Sequence, residues 1–101
     1  MKKNETGDRL KALARQLRTA KLDAAVLDRR DDYYYYTGYT GSDAVAVVAK
    51  SGKVWLITDM RYREEAEKTA PGCEVVMWKR GFGSFVGGML KKLRARRIGF
   101  I

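Results

Sequence analysis

Leu10, Leu13, Ala14 and Leu17 recur at the three- and four-residue spacing of one helix face, with Lys11, Arg15, Gln16 and Arg18 turned away from it. The spacing predicts a helix over residues 8–20, with Thr6 or Asp8 to cap its start. The short apolar run 24–27 predicts a strand. Residues 44–49 (Ala-Val-Ala-Val-Val-Ala) and 54–58 (Val-Trp-Leu-Ile-Thr) flank Lys50-Ser51-Gly52-Lys53, two β-branched runs around a short glycine-containing turn, which is the pattern of a hairpin. Both runs are apolar at nearly every position, so both faces of their sheet must be covered. Helices are therefore expected on both sides of it.

The pattern returns to helix over residues 60–70, with Tyr62, Ala66 and Ala70 inward and Pro71-Gly72 as the stop. Residues 74–79 predict a strand. Phe82, Phe85, Val86, Met89, Leu90 and Leu93 then mark a second amphipathic helix. Gly87 and Gly88 each cost that helix about 1 kcal/mol relative to Ala, which predicts close packing against a neighbour. Residues 97–101 open a last strand, and a buried-looking strand at the very end predicts that the natural chain continues beyond Ile101. The order is α-β-loop-β-β-α-β-α-β: one α/β domain over residues 1–101, with a mixed sheet, an antiparallel hairpin and helices on both faces.

Between the first two strands lies a stretch that this patterning does not explain. Residues 33–43 read Tyr-Tyr-Tyr-Tyr-Thr-Gly-Tyr-Thr-Gly-Ser-Asp, holding five of the chain's six tyrosines. Tyrosine joins a large apolar face to a hydroxyl that wants a partner, which suits the border between a core and a wet pocket or interface. Gly38 and Gly41 permit positive φ or close backbone approach. The stretch predicts a shaped loop. Tyr33 and Tyr34 are expected to be plain surface or packing residues.

Composition narrows the chemistry. The chain has 101 residues, no histidine and one cysteine, Cys73. Histidine-based triads, histidine-ligated zinc and an internal disulfide are all excluded within it, and Cys73 is expected as a small buried apolar residue. Gly81-Phe82-Gly83 lacks the Lys-Ser/Thr pair of a phosphate loop. Trp55 and Trp78 sit in apolar strands and predict core or domain-interface packing. No apolar run approaches the ~20 residues of a membrane span, and no apolar segment follows the basic N-terminus, so a cytoplasmic location is expected.

Net charge is +9, which raises nucleic acid, an anionic membrane or an acidic protein as partners. The densest cluster, Lys91, Lys92, Arg94, Arg96 and Arg97, is expected to be the solvated face of a helix. A small basic nucleic-acid-binding module is thus the alternative reading. It is disfavoured because the tyrosines are bunched in one stretch, far in sequence from the cations.

Residues 35–42, Tyr-Tyr-Thr-Gly-Tyr-Thr-Gly-Ser, resemble the Tyr-Leu-Thr-Gly-Phe-Thr-Gly-Ser pattern in the N-terminal domain of creatinase, prolidase and Xaa-Pro aminopeptidase. Residues 58–66, Thr-Asp-Met-Arg-Tyr-Arg-Glu-Glu-Ala, are similar to that domain's Thr-Asp-x-Arg-Tyr-x-x-Gln-Ala. Both motifs stand in the same order, separated by a hairpin. Tyr36, Tyr39 and Glu65 depart from the usual Leu, Phe and Gln, and the hydroxyl of Tyr36 predicts a wetter position there.

The resemblance implies a ribonuclease-H-like mixed sheet standing before a separate catalytic pita-bread domain absent from this chain. That domain holds two divalent ions (manganese, cobalt or zinc) that activate water against the bond preceding proline; in this chain no cofactor is expected. The resemblance further implies an accessory domain that shapes access for short proline-containing peptides and contacts its own catalytic domain and a homodimer subunit. A non-catalytic partner-binding domain of the same family stays open. The candidate pocket or dimer-contact residues are Tyr36, Thr37, Gly38, Tyr39, Thr40, Gly41, Ser42, Asp59, Arg61 and Tyr62, against a plainer reading in which the tyrosines complete the core and Asp59 caps a helix with Arg61 paired nearby. In the functional alternative, Arg61 faces a substrate carboxylate or the partner subunit. Glu64 and Glu65 point about 100° apart and are not expected to share a metal.

Overall fold

A computed structural model describes residues 3–70, 72–78 and 82–100. Five strands form one mixed sheet in the order β4-β3-β2-β1-β5. In the chain they are β1 (Ala24–Leu27), β2 (Ala44–Ala49), β3 (Val54–Thr58), β4 (Glu74–Met77) and β5 (Ile98–Phe100). The central hairpin pairs antiparallel with Val47 opposite Trp55, β1 is antiparallel to β2, and the edge strands β4 and β5 run parallel to β3 and β1. This is the expected single α/β domain with a mixed sheet.

Side chains alternate across the sheet as strand geometry requires. Ala25, Leu27, Ala46, Val48 and Leu56 face one layer with Leu10, Leu13 and Leu17, while Val26, Val45, Val47, Trp55 and Ile57 face the other with Phe85, Val86, Met89 and Leu90. Helices α1 (Lys3–Thr19), α2 (Arg30–Thr37) and α3 (Arg63–Thr69) cover the first face and α4 (Phe82–Lys92) the second. Both sides of the hairpin are dry, as its unbroken apolar sequence requires. Trp55 is core, and Trp78 is half-buried against the same layer.

Several elements differ from expectation. Helix α1 starts at Lys3, so Thr6 and Asp8 lie within it and neither caps its start; the apolar stripe marks only the buried part of the helix. Residues 33–37 belong to α2, not to a loop. Asp31 and Asp32 sit in its first turn, where the helix dipole favours acids. Tyr33 and Thr37, four apart, turn one face into the core, and Gly38 ends the helix at φ 85°. Aromatic residues of modest helix propensity concealed this from pattern reading. The segment from residue 60 opens as a 3-10 turn, Met60–Tyr62, before α3. Gly87 and Gly88 have no heavy atom within 4 Å of where a Cβ would stand, so they do not permit close packing; they lie on the exposed side of α4. Pro71, Lys79, Gly81, Ile101 and the side chain of Phe82 lie outside the described residues.

Two helices end alike without glycine. Leu22 N–H donates to the Leu17 carbonyl and Lys21 N–H to that of Arg18, and Ala95 and Arg94 repeat this toward Leu90 and Lys91. These are Schellman closures with Lys21 (φ 59°) and Arg94 (φ 56°) in the left-handed region. A side chain there is disfavoured by about 1 kcal/mol.

Asp23 joins three segments at the end of the sheet where β1, β3 and β5 begin. Its carboxylate accepts N–H bonds from Arg96 (2.8 Å) and Arg97 (3.0 Å) and pairs with Lys50 Nζ (3.1 Å). The Arg96 and Arg97 amides, with Lys50, hold its pKa down to about 2.

Two measurements check these features. Lys21→Gly should stabilise the domain by about 1 kcal/mol in urea unfolding, because glycine takes the left-handed conformation without strain; no gain would remove the strain argument. The folded pKa of Asp23 lies below its ordinary 3.8, so its contribution is present above that value and lost as pH falls toward about 2. The Tm gap between wild type and Asp23→Asn should therefore be open at pH 7 and close through that window, and a gap independent of pH would refute the clasp.

Candidate functional site

The C-terminal ends of β1, β3, β4 and β5 and the start of β2 share one end of the sheet, since Ala44 faces Thr58 in the register. Both motifs arrive there. Residues 38–43 run from α2 into β2, and Asp59 to Tyr62 leave β3. The Thr58 hydroxyl donates to the Asp43 carbonyl (3.4 Å), and the Thr40 hydroxyl to Glu65 Oε1 (3.3 Å). The two stretches thus form one surface.

The tyrosines divide by role. Tyr33 and Tyr39 are 2% and 0% exposed, with ring centroids 5.9 Å apart. Tyr33 donates its hydroxyl to the Gly41 carbonyl at 2.6 Å, so of the surface or packing role expected for it the structure shows packing, and it anchors the loop as well. The Tyr39 hydroxyl is shut from solvent beside Gly41 and Thr58. Among the described residues no hydrogen bond to it is made. A Cβ on Gly41 would overlap that hydroxyl, and one on Gly38 would stand 3.0 Å from the Thr69 carbonyl. Both glycines are therefore needed for close approach. Burial raises the pKa of Tyr33, Tyr36 and Tyr39, so their hydroxyls stay neutral.

Thr37 is buried, donating its hydroxyl to the Tyr33 carbonyl (2.6 Å) and accepting from Tyr39 N–H (3.2 Å). Arg30 grips the Thr40 carbonyl through Nε (3.1 Å) and Nη2 (2.7 Å). Tyr36 is half-buried, edge-on to Tyr35 at 4.9 Å, and Arg9 lies over the Tyr35 ring at 4.1 Å. Of the ten candidate positions, Thr40, Ser42 and Arg61 are exposed; Tyr36, Gly38, Gly41, Asp59 and Tyr62 are half-buried; Thr37 and Tyr39 are enclosed. The enclosed pair shape the loop from beneath and cannot touch a ligand. Arg30, Asp31, Tyr34 and Thr40 line a shallow cavity of about 180 Å³ beside the loop. Arg30 was missed by pattern reading, and its place in the turn before the tyrosines was the available signal.

Asp59 caps the 3-10 turn, accepting from Arg61 N–H (2.9 Å) and Arg61 Nε (3.2 Å). The Arg61 amide and guanidinium lower its pKa, and Asp59 raises that of Arg61. The capping arrangement expected of this pair is present, with Arg61 still largely exposed over the Tyr62 ring. Glu64 pairs with Lys68 (3.3 Å) while Glu65 meets Thr40, so the two glutamates do diverge. Cys73 packs against the core, where burial raises its thiol to about 11 and keeps it unreactive. Among the described residues no three of Cys, Asp and Glu converge as metal ligands. The donor set of the described residues does not fit a pair of divalent ions.

Residues 9–100 match the creatinase/prolidase N-terminal domain. The chain belongs to that family. It is 28% identical over 79 residues to the uncharacterized peptidase YqhT of Bacillus subtilis, an alignment covering 78% of this chain and 22% of YqhT. Its fold matches a Xaa-Pro dipeptidase from Bacillus anthracis with a TM-score of 0.82 at 27% identity, covering 93% of this chain and 26% of the dipeptidase. It also matches the N-terminal domain of the cytoplasmic peptidase PepQ from Mycobacterium tuberculosis, with a TM-score of 0.78 at 30% identity over 94% of this chain and 71% of that one. The chain thus spans about a quarter of the first two relatives.

The two buried tyrosine hydroxyls should behave differently. Tyr33→Phe removes a short bond to a backbone carbonyl and should cost about 1 kcal/mol, whereas Tyr39→Phe removes a hydroxyl that makes no hydrogen bond and should be neutral or slightly stabilising. Urea unfolding of both variants checks this; an equal loss in each would assign Tyr39 a hydrogen bond it is not seen to make.

Proposed function

We propose that this chain is the N-terminal accessory domain of an Xaa-Pro aminopeptidase or dipeptidase, shaping access to a catalytic domain and taking part in dimerisation without being catalytic itself. The observation that carries this reading is the match of nearly the whole chain to about a quarter of an Xaa-Pro dipeptidase. One of the peptidases it resembles is named an Xaa-Pro dipeptidase, and another is described as cytoplasmic. A cytoplasmic location agrees with that, and no helix among the described residues is long and apolar enough to cross a membrane.

In this proposal the two divalent ions and the activated water belong to the catalytic domain. The present residues bind and orient. Thr40, Ser42 and Arg61 form the contact surface, and Tyr33, Thr37 and Tyr39 hold it in shape. Arg61 has a planar charged fork suited to a carboxylate. Its Nε is engaged by Asp59, which fixes the guanidinium over Tyr62 while most of the side chain stays exposed. A peptide C-terminus or an acidic group of the partner subunit fits that fork.

The test has two arms. The 101-residue chain should hydrolyse no Xaa-Pro peptide with manganese, cobalt or zinc, and turnover by it would overturn the accessory role. In the peptidase carrying this domain, Arg61→Ala should raise KM for a short Xaa-Pro peptide about tenfold, roughly 1.4 kcal/mol of binding, with kcat little changed. An unchanged KM together with an unchanged dimer would remove Arg61 from the contact surface.

A further inference from the structure

The end of the sheet opposite the tyrosine loop gathers positive charge from three separate parts of the chain. Asp23 is its hub: the backbone of Arg96 and Arg97 and the ammonium of Lys50 all reach its carboxylate. Arg18 donates to the Lys50 carbonyl at 2.6 Å, and Lys21 lies two residues from the hub. Arg94 lines, with Lys50, Lys53 and Trp55, a cavity of about 370 Å³ at the same end. Among the described residues two acids pair with this set. Asp23 pairs with Lys50, and Glu74 with Lys53 at 3.6 Å. Arg18, Lys21, Arg94, Arg96 and Arg97 are exposed and make no ion pair among the described residues.

Folding alone does not account for this concentration. The C-termini of α1 and α4 point here, and a helix C-terminus favours a nearby cation by about 0.3–1 kcal/mol. That explains Arg18, Lys21 and Arg94, which sit at those termini. Arg96, Arg97, Lys50 and Lys53 lie outside any helix, and like charges gathered within a Debye length repel. A protein partner would call for an apolar centre with aromatic anchors. Here Trp55 is 8% exposed and Leu93 is the one large apolar residue of this cavity that is exposed, at 36%. Single-stranded nucleic acid would call for exposed aromatic platforms, and the exposed tyrosines, Tyr34 and Tyr35, are on α2. Spread, long, unpaired cations on several segments suit a line of phosphates.

We infer that this end of the domain is a phosphate-backbone surface for double-stranded nucleic acid, binding without reading base sequence. It stands on residues apart from the proposed peptidase surface and does not depend on that reading.

The test is fluorescence anisotropy of the chain with a labelled 20-base-pair duplex at 50 and 200 mM salt. Five neutralised phosphates predict a slope near −4.5 in log affinity against log salt, about a 500-fold loss over that range. Unrelated duplex sequences should bind equally. Arg94→Glu with Arg97→Glu should abolish binding. Lys11→Glu with Arg29→Glu, the same change in net charge on other surfaces, should leave most of it, with thermal melts confirming that both variants fold. Absence of salt-sensitive binding at 50 mM would overturn the inference, as would equal weakening by both double variants, which would mean net charge alone. Binding to poly-glutamate or phosphatidylserine vesicles that duplex cannot displace would also overturn it, in favour of an acidic protein or a membrane.

Discussion

The constraint on which the structure depends is the two-sided burial of the hairpin β2–β3. Val45, Val47, Trp55 and Ile57 look one way and Ala46, Val48, Val54 and Leu56 the other, and none of them can meet water without loss. At roughly 25 cal/mol per Å² of apolar area removed from water, neither face can be left open. Helices α1–α3 on one side and α4 on the other are the consequence, and the parallel edge strands follow because α3 and the α4 segment return the chain to the same sheet. The ends of that sheet are where polar groups collect.

Those two ends differ in kind. At one, two buried tyrosines and a buried threonine support a glycine-bearing loop from below, with Thr40 and Ser42 exposed on it and Arg61, held by Asp59, beside it. At the other, a single carboxylate organises backbone amides and an ammonium from distant segments, and cations accumulate around it. The first end suits recognition by shape and a few directional hydrogen bonds. The second suits a partner recognised by charge, so the two proposed roles fall on opposite ends of one small domain.

Much of the fold was legible because its signals were periodic. The Leu10–Leu17 stripe, the hairpin with its central turn and the stripe through Phe85, Val86, Met89 and Leu90 each repeat at a spacing that only one kind of element satisfies. The family membership was legible for another reason, since two short motifs kept their order across the hairpin. Helix α2 was hidden because a run of four tyrosines carries no amphipathic contrast: the same residue type faces the core at Tyr33 and solvent at Tyr34 and Tyr35. The tertiary fold makes the distinction, by placing Tyr33 within reach of the Gly41 carbonyl.

By itself, then, the sequence determined the fold class, the strands, most of the helices and the family, because each is encoded in local periodicity or in contiguous motif residues. It also offered the Asp59 cap with Arg61 paired nearby as one of two readings, an arrangement closed within three residues, and the structure shows that cap. Which candidate site residues are reachable was decided only by the tertiary structure, because enclosure depends on the segments packed above a residue and not on its neighbours in sequence. The same holds for the cationic end. Residues 91–97 alone read as a solvated helix face, and only the strand register that brings Asp23, Lys50 and Arg97 together makes them part of a larger surface.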